Sequence, residues 1–294
     1  VFPLVTAAAC TAQQRAAAFA ALCRINTLHM IVQAGSGHVG TCFSSLDIMS
    51  WLFVNEMDEA AGDVFFSSKG HDAPALYAAL IGLGKLDFDL LHRLRKLGGL
   101  PGHPDVATPG MVANTGSLGM GISKAKGFVR ANRLEKSDGR VFVMCGDGEL
   151  QEGQNWEALP GAVNDEMGEI IVVIDHNKIQ SDTWVSKVLD LGDVEARFAA
   201  SGWHVQRCDG HDLGALETAF GAARDEVKRP SVIVADTIKG NGVSFMQWGD
   251  AERDELLYPF HSGAPDPETY DRALVELNET MRDRLNEAGL DVPS

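Results

Sequence analysis

The stretch VFVMCGDGELQEGQNWEALPGAVNDEMGEIIVVIDHN, residues 141–177, decides the fold. Two continuous apolar runs, VFVM and IIVVID, flank a segment with helical character, EGQNWEALPGAVNDE, which the proline at 160 should interrupt. A strand that is apolar at every position is buried on both faces. Strand, helix and strand of this kind form the repeating unit of a parallel sheet covered by helices on both sides. Right-handed crossovers usually set two such strands side by side, with their carboxyl ends at one edge. Ligands of open α/β sheets bind outside that edge. Asp147 follows the first strand there, and Asn177 follows the second 30 residues later.

Glycines between a strand and a helix suggest a phosphate site, since helix N-termini present N–H donors and a positive dipole. An aspartate between the glycines should repel a phosphate. A divalent cation removes the conflict. A carboxylate, an amide oxygen and a backbone carbonyl form an oxygen-rich set suited to Mg²⁺ or Ca²⁺, which would bridge Asp147 to a diphosphate while Gly146 and Gly148 admit its close approach. No Lys or Arg lies between Arg140 and Lys178 to serve instead. Gly-Asp-Gly alone also occurs in turns, where the Asp only caps a helix.

The alternation extends on both sides. DVFFSS (63–68), RVFVMC, EIIVVID, WHVQRC and SVIVADT read as strands. APALYAALIGLG, ending at Gly82 or Gly84, GISKAKGFVRANRLE, DVEARFAASG and LGALETAFGAARDEV read as helices. Residues 11–32 carry helical periodicity, and SLDIMSWLFVNEM (45–57) predicts a helix capped by Ser44 or Ser45. Residues 247–262 read as an irregular acidic loop and 267–289 as an amphipathic helix. The expectation is one α/β domain over 1–294, with an amino-terminal helical segment and a carboxyl-terminal helix.

Composition narrows the function. The 294 residues carry 25 basic and 41 acidic side chains, a net charge of −16, which disfavours nucleic acid or an anionic membrane as partner but not an anionic small substrate in a locally basic pocket. No run approaches the roughly 18 consecutive apolar residues that span a bilayer. The five cysteines at 10, 23, 42, 145 and 208 are scattered and never spaced as CxxC, which argues for a reducing cytoplasm over disulfides or structural zinc.

GDGELQEGQNWEA followed by DHNKIQSD resembles the thiamine diphosphate motif of transketolases. GSGHVGTCFSSLDIM, SSKGHDAPALYA, LPGHPD, NTGSLGMGISKAKG, GWHVQRCDGHD and DTIKGNGVSF resemble further segments of that family, in the family's order, over roughly residues 20–245. The resemblance implies the thiamine diphosphate-binding fold, that cofactor, and Mg²⁺ or Ca²⁺. By it, His38 and His103 match substrate-hydroxyl contacts, His71 a diphosphate contact, and Thr41 and Lys239 cofactor contacts. Gly116 and Leu118 match residues lining the aminopyrimidine, with Ser117 between them. Gly146, Asp147, Gly148, Glu149, Asn177 and Ile179 form the expected cofactor set, of which Asp147, Asn177 and Ile179 hold the metal. Glu152 matches a glutamate at an active-site subunit interface. His261 is the candidate for the last active-site histidine, although Ser262 stands where the family has Gly, and the preceding loop QWGDAERDELLY is longer than usual. His29, His92, His176 and His204 are structural in this reading, and His211 a turn residue.

The implied activity is transfer of a two-carbon ketol unit from a ketose to an aldose, with the cofactor ring as electron sink. The family's activating glutamate lies in a second α/β domain, which would begin where this chain ends. The expectation is therefore an amino-terminal subunit, active only with a separate carboxyl-terminal subunit in a tetramer of two plus two chains. The final helix, ending with no truncated strand, favours a natural subunit over a fragment. Competing expectations are another thiamine enzyme, a specialised two-subunit ketolase for an unusual sugar or natural-product acceptor, and a non-catalytic subunit.

Overall fold

The structure, a computed structural model, describes residues 1–248 and 257–291. The chain divides into two compact units, one of residues 1–55, 71–111 and 238–294, the other of 56–70 and 112–237.

The first unit is helical. It begins with α1 (Phe2–Thr6), α2 (Ala12–Ala34), α3 (Val39–Trp51) and α4 (Ala73–Gly82). Thr11 starts α2 with a capping box, its hydroxyl accepting from Gln14 N while the Gln14 side chain accepts from Thr11 N. α2 packs on α3 and α4. It is long and apolar enough to cross a membrane by length and composition, yet 61% of its most apolar window is buried within the protein. α3 begins earlier than the apolar pattern predicts. Ser44 and Ser45 lie inside it rather than capping it, and their hydroxyls donate back to the Thr41 carbonyl at 3.1 and 2.7 Å. Its first turn, Val-Gly-Thr-Cys, carries small residues and no side-chain cap, which hides it from a hydrophobic-periodicity reading.

The second unit holds the sheet. Its strands are β1 (Val64–Ser67), β2 (Val141–Gly146), β3 (Ile170–His176), β6 (His204–Asp209) and β7 (Ser231–Asp236), arranged β1-β2-β3-β7-β6 and all parallel. Helices α5 (Gly121–Glu135), α6 (Gly153–Asn164), α7 (Val185–Leu189), α8 (Val194–Ala200) and α9 (Leu213–Asp225) connect them, with a short antiparallel pair, β4 (Ile179–Gln180) and β5 (Thr183–Trp184), after β3. Strand residues divide by parity, as the pleat requires. Val141, Val143, Cys145, Ile170, Val172 and Ile174 join α5, α6 and Phe198 of α8 in one core. Phe142 of the opposite face meets Phe220 of α9, with ring centroids 6.2 Å apart. Helices therefore cover both faces, as the continuous apolar strands require. Pro160 does not interrupt α6, which runs through it.

The chain then returns to the first unit and continues into α10 (Pro267–Glu287), which packs on α2. Of the acidic loop expected at 247–262, residues 249–256 lie outside the described residues.

Candidate cofactor-binding and catalytic sites

The register of β2 with β3 pairs Gly146 with Asp175, so Asp147 and Asn177 both emerge past the carboxyl ends of adjacent strands, as the crossover argument requires. Asp147 is buried. Its Oδ1 accepts from Gly148 N at 2.7 Å, and its Oδ2 accepts from Lys178 N. Among the described residues no lysine or arginine forms an ion pair with it. Burial, then the nearby Asp175 carboxylate, push the Asp147 carboxyl up to about 6.

Asn177 is held from behind. Its Nδ2 donates to Asp175 Oδ2 at 3.1 Å, and its Oδ1 accepts from Ile179 N at 3.1 Å. Asp175 is fixed in turn by Lys69 Nζ at 2.6 Å and by the Thr237 hydroxyl. This pair of fully buried charges fixes the amide nitrogen, and with it the direction of the amide oxygen. A carboxylate with unused lone pairs, an oriented amide oxygen and the adjacent backbone suit a hard divalent cation. Among the described residues no group of three His, Cys, Asp or Glu side chains is placed to hold a metal ion, so a zinc-type donor set is absent there. The residues present fit the metal that the motif suggests.

The loop 115–119 belongs to the same unit. Gly116 has φ +113°, and a Cβ on Gly70 would stand 2.5 Å from Gly116 N, so two backbones touch where only glycine fits. Thr115 Oγ1, at the start of this loop, is buried with no hydrogen-bond partner. Ser117 and Leu118 are exposed.

Glu149 is buried and taken up internally. Its carboxylate accepts from the Ser68 hydroxyl, from Gly119 N at 2.9 Å and from Gly146 N at 3.1 Å. It thereby ties the ends of β1 and β2 to the glycine loop. Neither this clip nor the Lys69–Asp175 pair is a sequence expectation. Lys69 stands two residues before His71, in SSKGH, and that spacing is the available signal.

The first unit assembles the histidines. His38 precedes α3, and its ring lies 5.2 Å from that of His71 and 5.1 Å from that of His261, while His71 and His261 are 6.5 Å apart. Lys239, buried, has Nζ 3.5 Å from His261 Nδ1 and 5.2 Å above the Tyr258 ring. The backbone sets this geometry: Gly240 N donates to Gly40 O at 2.9 Å, and Gly40 N donates to Phe260 O at 3.2 Å. Thr41 is buried in the first turn of α3.

Burial first, then the charges of His261, Arg95, His103 and Lys239, lower His38 to about 4, so it is a neutral imidazole at physiological pH. Its Nδ1 is buried without a hydrogen-bond partner. His103 is also pushed below its ordinary value, by burial and then by Arg95. The remaining histidines have other surroundings. His29 and His92 pair with each other at 3.0 Å, His176 pairs with Asp236 at 2.9 Å, His204 lies 3.3 Å from the Ser231 hydroxyl, and His211 sits in a turn.

Comparison with known proteins joins these observations. The family described as "Transketolase, thiamine diphosphate binding domain" matches residues 15–252. The chain is 30% identical over 266 residues to one of the subunits of the apulose-4-phosphate transketolase of Phocaeicola vulgatus, covering 88% of this chain and 92% of that one. It is 36% identical over 230 residues to the 6-deoxy-6-sulfo-D-fructose transketolase subunit SqwG of a Clostridium species, covering 75% and 84%. Among solved structures, transketolase from Campylobacter jejuni superposes with a TM-score of 0.75 at 27% identity, covering 94% of this chain but 43% of that enzyme. The chain thus spans most of the length of these two subunit relatives and less than half of that solved transketolase.

Proposed function

This chain belongs to the transketolase family, carrying its thiamine diphosphate-binding part, and from that premise we propose that it is the amino-terminal subunit of a two-subunit ketol transferase that works with Mg²⁺ or Ca²⁺. The observation that carries the metal is Asp147, a buried carboxylate beside an oriented Asn177 with no ion-pair partner among the described residues. When bound, thiamine diphosphate would supply a thiazolium ring able to act as an electron sink, and a divalent cation would neutralise diphosphate charge beside Asp147 and Asn177.

The chain's own residues then divide the work. Asp147, Asn177 and Ile179 hold the cation. Gly146, Gly148 and the backbone of Gly116, Ser117 and Leu118 admit the cofactor, while Glu149 keeps their loops together. Thr41, His71 and Lys239 contribute further cofactor contacts. His38, His103 and His261 recognise substrate hydroxyls and carry protons. A neutral His38 is in the right state to accept a hydrogen bond or a proton from a hydroxyl at neutral pH.

The group that activates the cofactor ring is assigned to a separate carboxyl-terminal subunit, in a complex of two plus two chains. The scattered thiols suit a cytoplasmic enzyme. The names of the two subunit relatives favour a specialised ketose substrate over the common sugar phosphates.

Calorimetric titration with thiamine diphosphate and Mg²⁺, paired with a ketol-transfer assay, tests this reading. The chain alone should bind weakly and show no transfer, and the reconstituted pair should do both. Turnover by the purified chain alone would exclude the two-subunit reading. Absence of cofactor binding with the partner present would leave only a non-catalytic role.

A further inference from the structure

The segment LYPFHSG, residues 257–263, lies where the sequence departs from the family pattern. Its tyrosine occupies a place prepared by two other stretches of the first unit. Tyr258 is 2% exposed. A Cβ on Gly40, in the first turn of α3, would stand 2.5 Å from the phenol oxygen, and a Cβ on Gly240 would stand 2.7 Å from the same atom. Gly240 also has φ +83°, so both its backbone and its surroundings require glycine. The Tyr258 hydroxyl donates to Met246 O at 3.0 Å and closes the bend that begins at Gly240. Burial pushes the phenol up, which keeps that proton in place. Trp248 and Phe260 meet the ring in T-shaped contacts, with centroids 6.2 and 6.0 Å away.

What the ring carries is Lys239. That lysine is buried, its Nζ lies 5.2 Å from the centroid of Tyr258, and the same Nζ is 3.5 Å from His261 Nδ1. The backbone repeats the association, since Trp248 N donates to Lys239 O at 3.1 Å. A ring face attracts an ammonium without neutralising it and leaves its N–H groups to other partners. A carboxylate in the same place would cancel the charge and draw those N–H groups to itself. The charge of Lys239 is felt across the cluster, where it helps to lower His38. A buried cation held in this way suits an anionic ligand.

We propose that Tyr258 is a positioning residue, whose ring face holds the Lys239 ammonium beside His261 and keeps it charged for an anionic ligand of the diphosphate class. The ligand rests on the transketolase reading, but the placement of the ammonium is tested without cofactor. In the full chain carrying lysine labelled with carbon-13 at Cε, the Lys239 resonance is identified by its loss in Lys239→Met. The ring current should set it upfield of the other lysines. Tyr258→Phe should keep that shift and Tyr258→Leu should abolish it. In the reconstituted pair with Mg²⁺, Tyr258→Leu should weaken thiamine diphosphate binding about tenfold, and Tyr258→Phe by less than about threefold. Should the leucine chain fail to fold, pentafluorophenylalanine at position 258, which keeps the shape of the ring and reverses its quadrupole, should show the same loss. On a Lys239→Met background neither replacement should weaken binding further. A Lys239 resonance among the other lysines in the wild type, or equal losses with and without Lys239, would make the tyrosine a packing residue only and overturn the assignment. A ring-shifted Lys239 with no cofactor binding in the wild-type pair would instead refute the proposed function and leave the placement standing.

Discussion

The two units treat charge in opposite ways. In the sheet unit, Asp147, Glu149 and Asp175 are buried close to the carboxyl edge, with Lys69 as the buried ion-pair partner of Asp175. Most of the work of holding these acids falls to N–H and O–H donors, which fix geometry without cancelling charge. The helical unit gathers bases instead, His38, His71, His103, His261, Lys239 and Arg95, and burial keeps His38 and His103 below their ordinary basicity. One region thus retains negative charge, and the other sheds positive charge at His38. The lesson is that a net charge of −16 describes neither region.

Breaking the acidic side at its root should have the largest effect. Asp175→Ala strands Lys69 as an unpaired buried cation and should cost about 3–5 kcal/mol in urea unfolding. A loss below about 1 kcal/mol would show that this pair does not organise the edge. Asp147→Ala should weaken thiamine diphosphate binding in Mg²⁺ by about 100-fold, with smaller harm to folding, and chelating the metal should reproduce the loss in the wild type. If binding is equal with and without Mg²⁺, the acid is not serving a cation.

Glu149→Gln sharpens the contrast between holding and neutralising. The amide keeps one acceptor oxygen but turns an N–H toward donors, which should lower stability by about 1–2 kcal/mol in urea unfolding. An unchanged midpoint would show that the clip does not depend on charge. At neutral pH the smallest effect belongs to the basic side, where it emerges only in acid. His38 titrates at about 4 in the folded chain against an ordinary value of 6.5. Its folded pKa is depressed, so the stability gained by keeping it neutral is fully present above pH 6.5 and drains as pH falls from 6.5 toward 4. His38→Gln should flatten that acid limb in thermal scans recorded between about pH 4 and 7, and an unchanged slope would contradict the neutral assignment.

The sheet unit is the more legible in sequence. VFVM and IIVVID are buried at every position, so their pattern carries the parallel sheet directly, and one crossover places Asp147 and Asn177 together. Asp175 reads only as the end of a strand, because an acid that completes an apolar run gives no sign of its partner 106 residues away. The start of α3 is hidden for a related reason. Its first turn is Val-Gly-Thr-Cys, and its two serines satisfy themselves on the Thr41 carbonyl instead of announcing a boundary. The proline in α6 misleads because local propensity is a weak prior once a helix packs on a sheet. A glycine before each of His38, His71 and His103 marks them in the sequence, but the contacts of His38 with His71 and His261 span three separate stretches of chain that no periodicity links, and only resemblance joins them.

The packing of α10 on α2 has a consequence for how the protein is made. α2 ends at Ala34, and the helix that completes its surroundings begins at Pro267. At a synthesis rate of about 5–20 residues per second, α2 waits on the order of 10–50 s for that partner. During this interval part of an apolar helix is open to chaperones or to mispairing, while all five strands of the sheet are made before α10 begins. The sheet unit can therefore mature before the helical unit, which is completed only once α10 has been made.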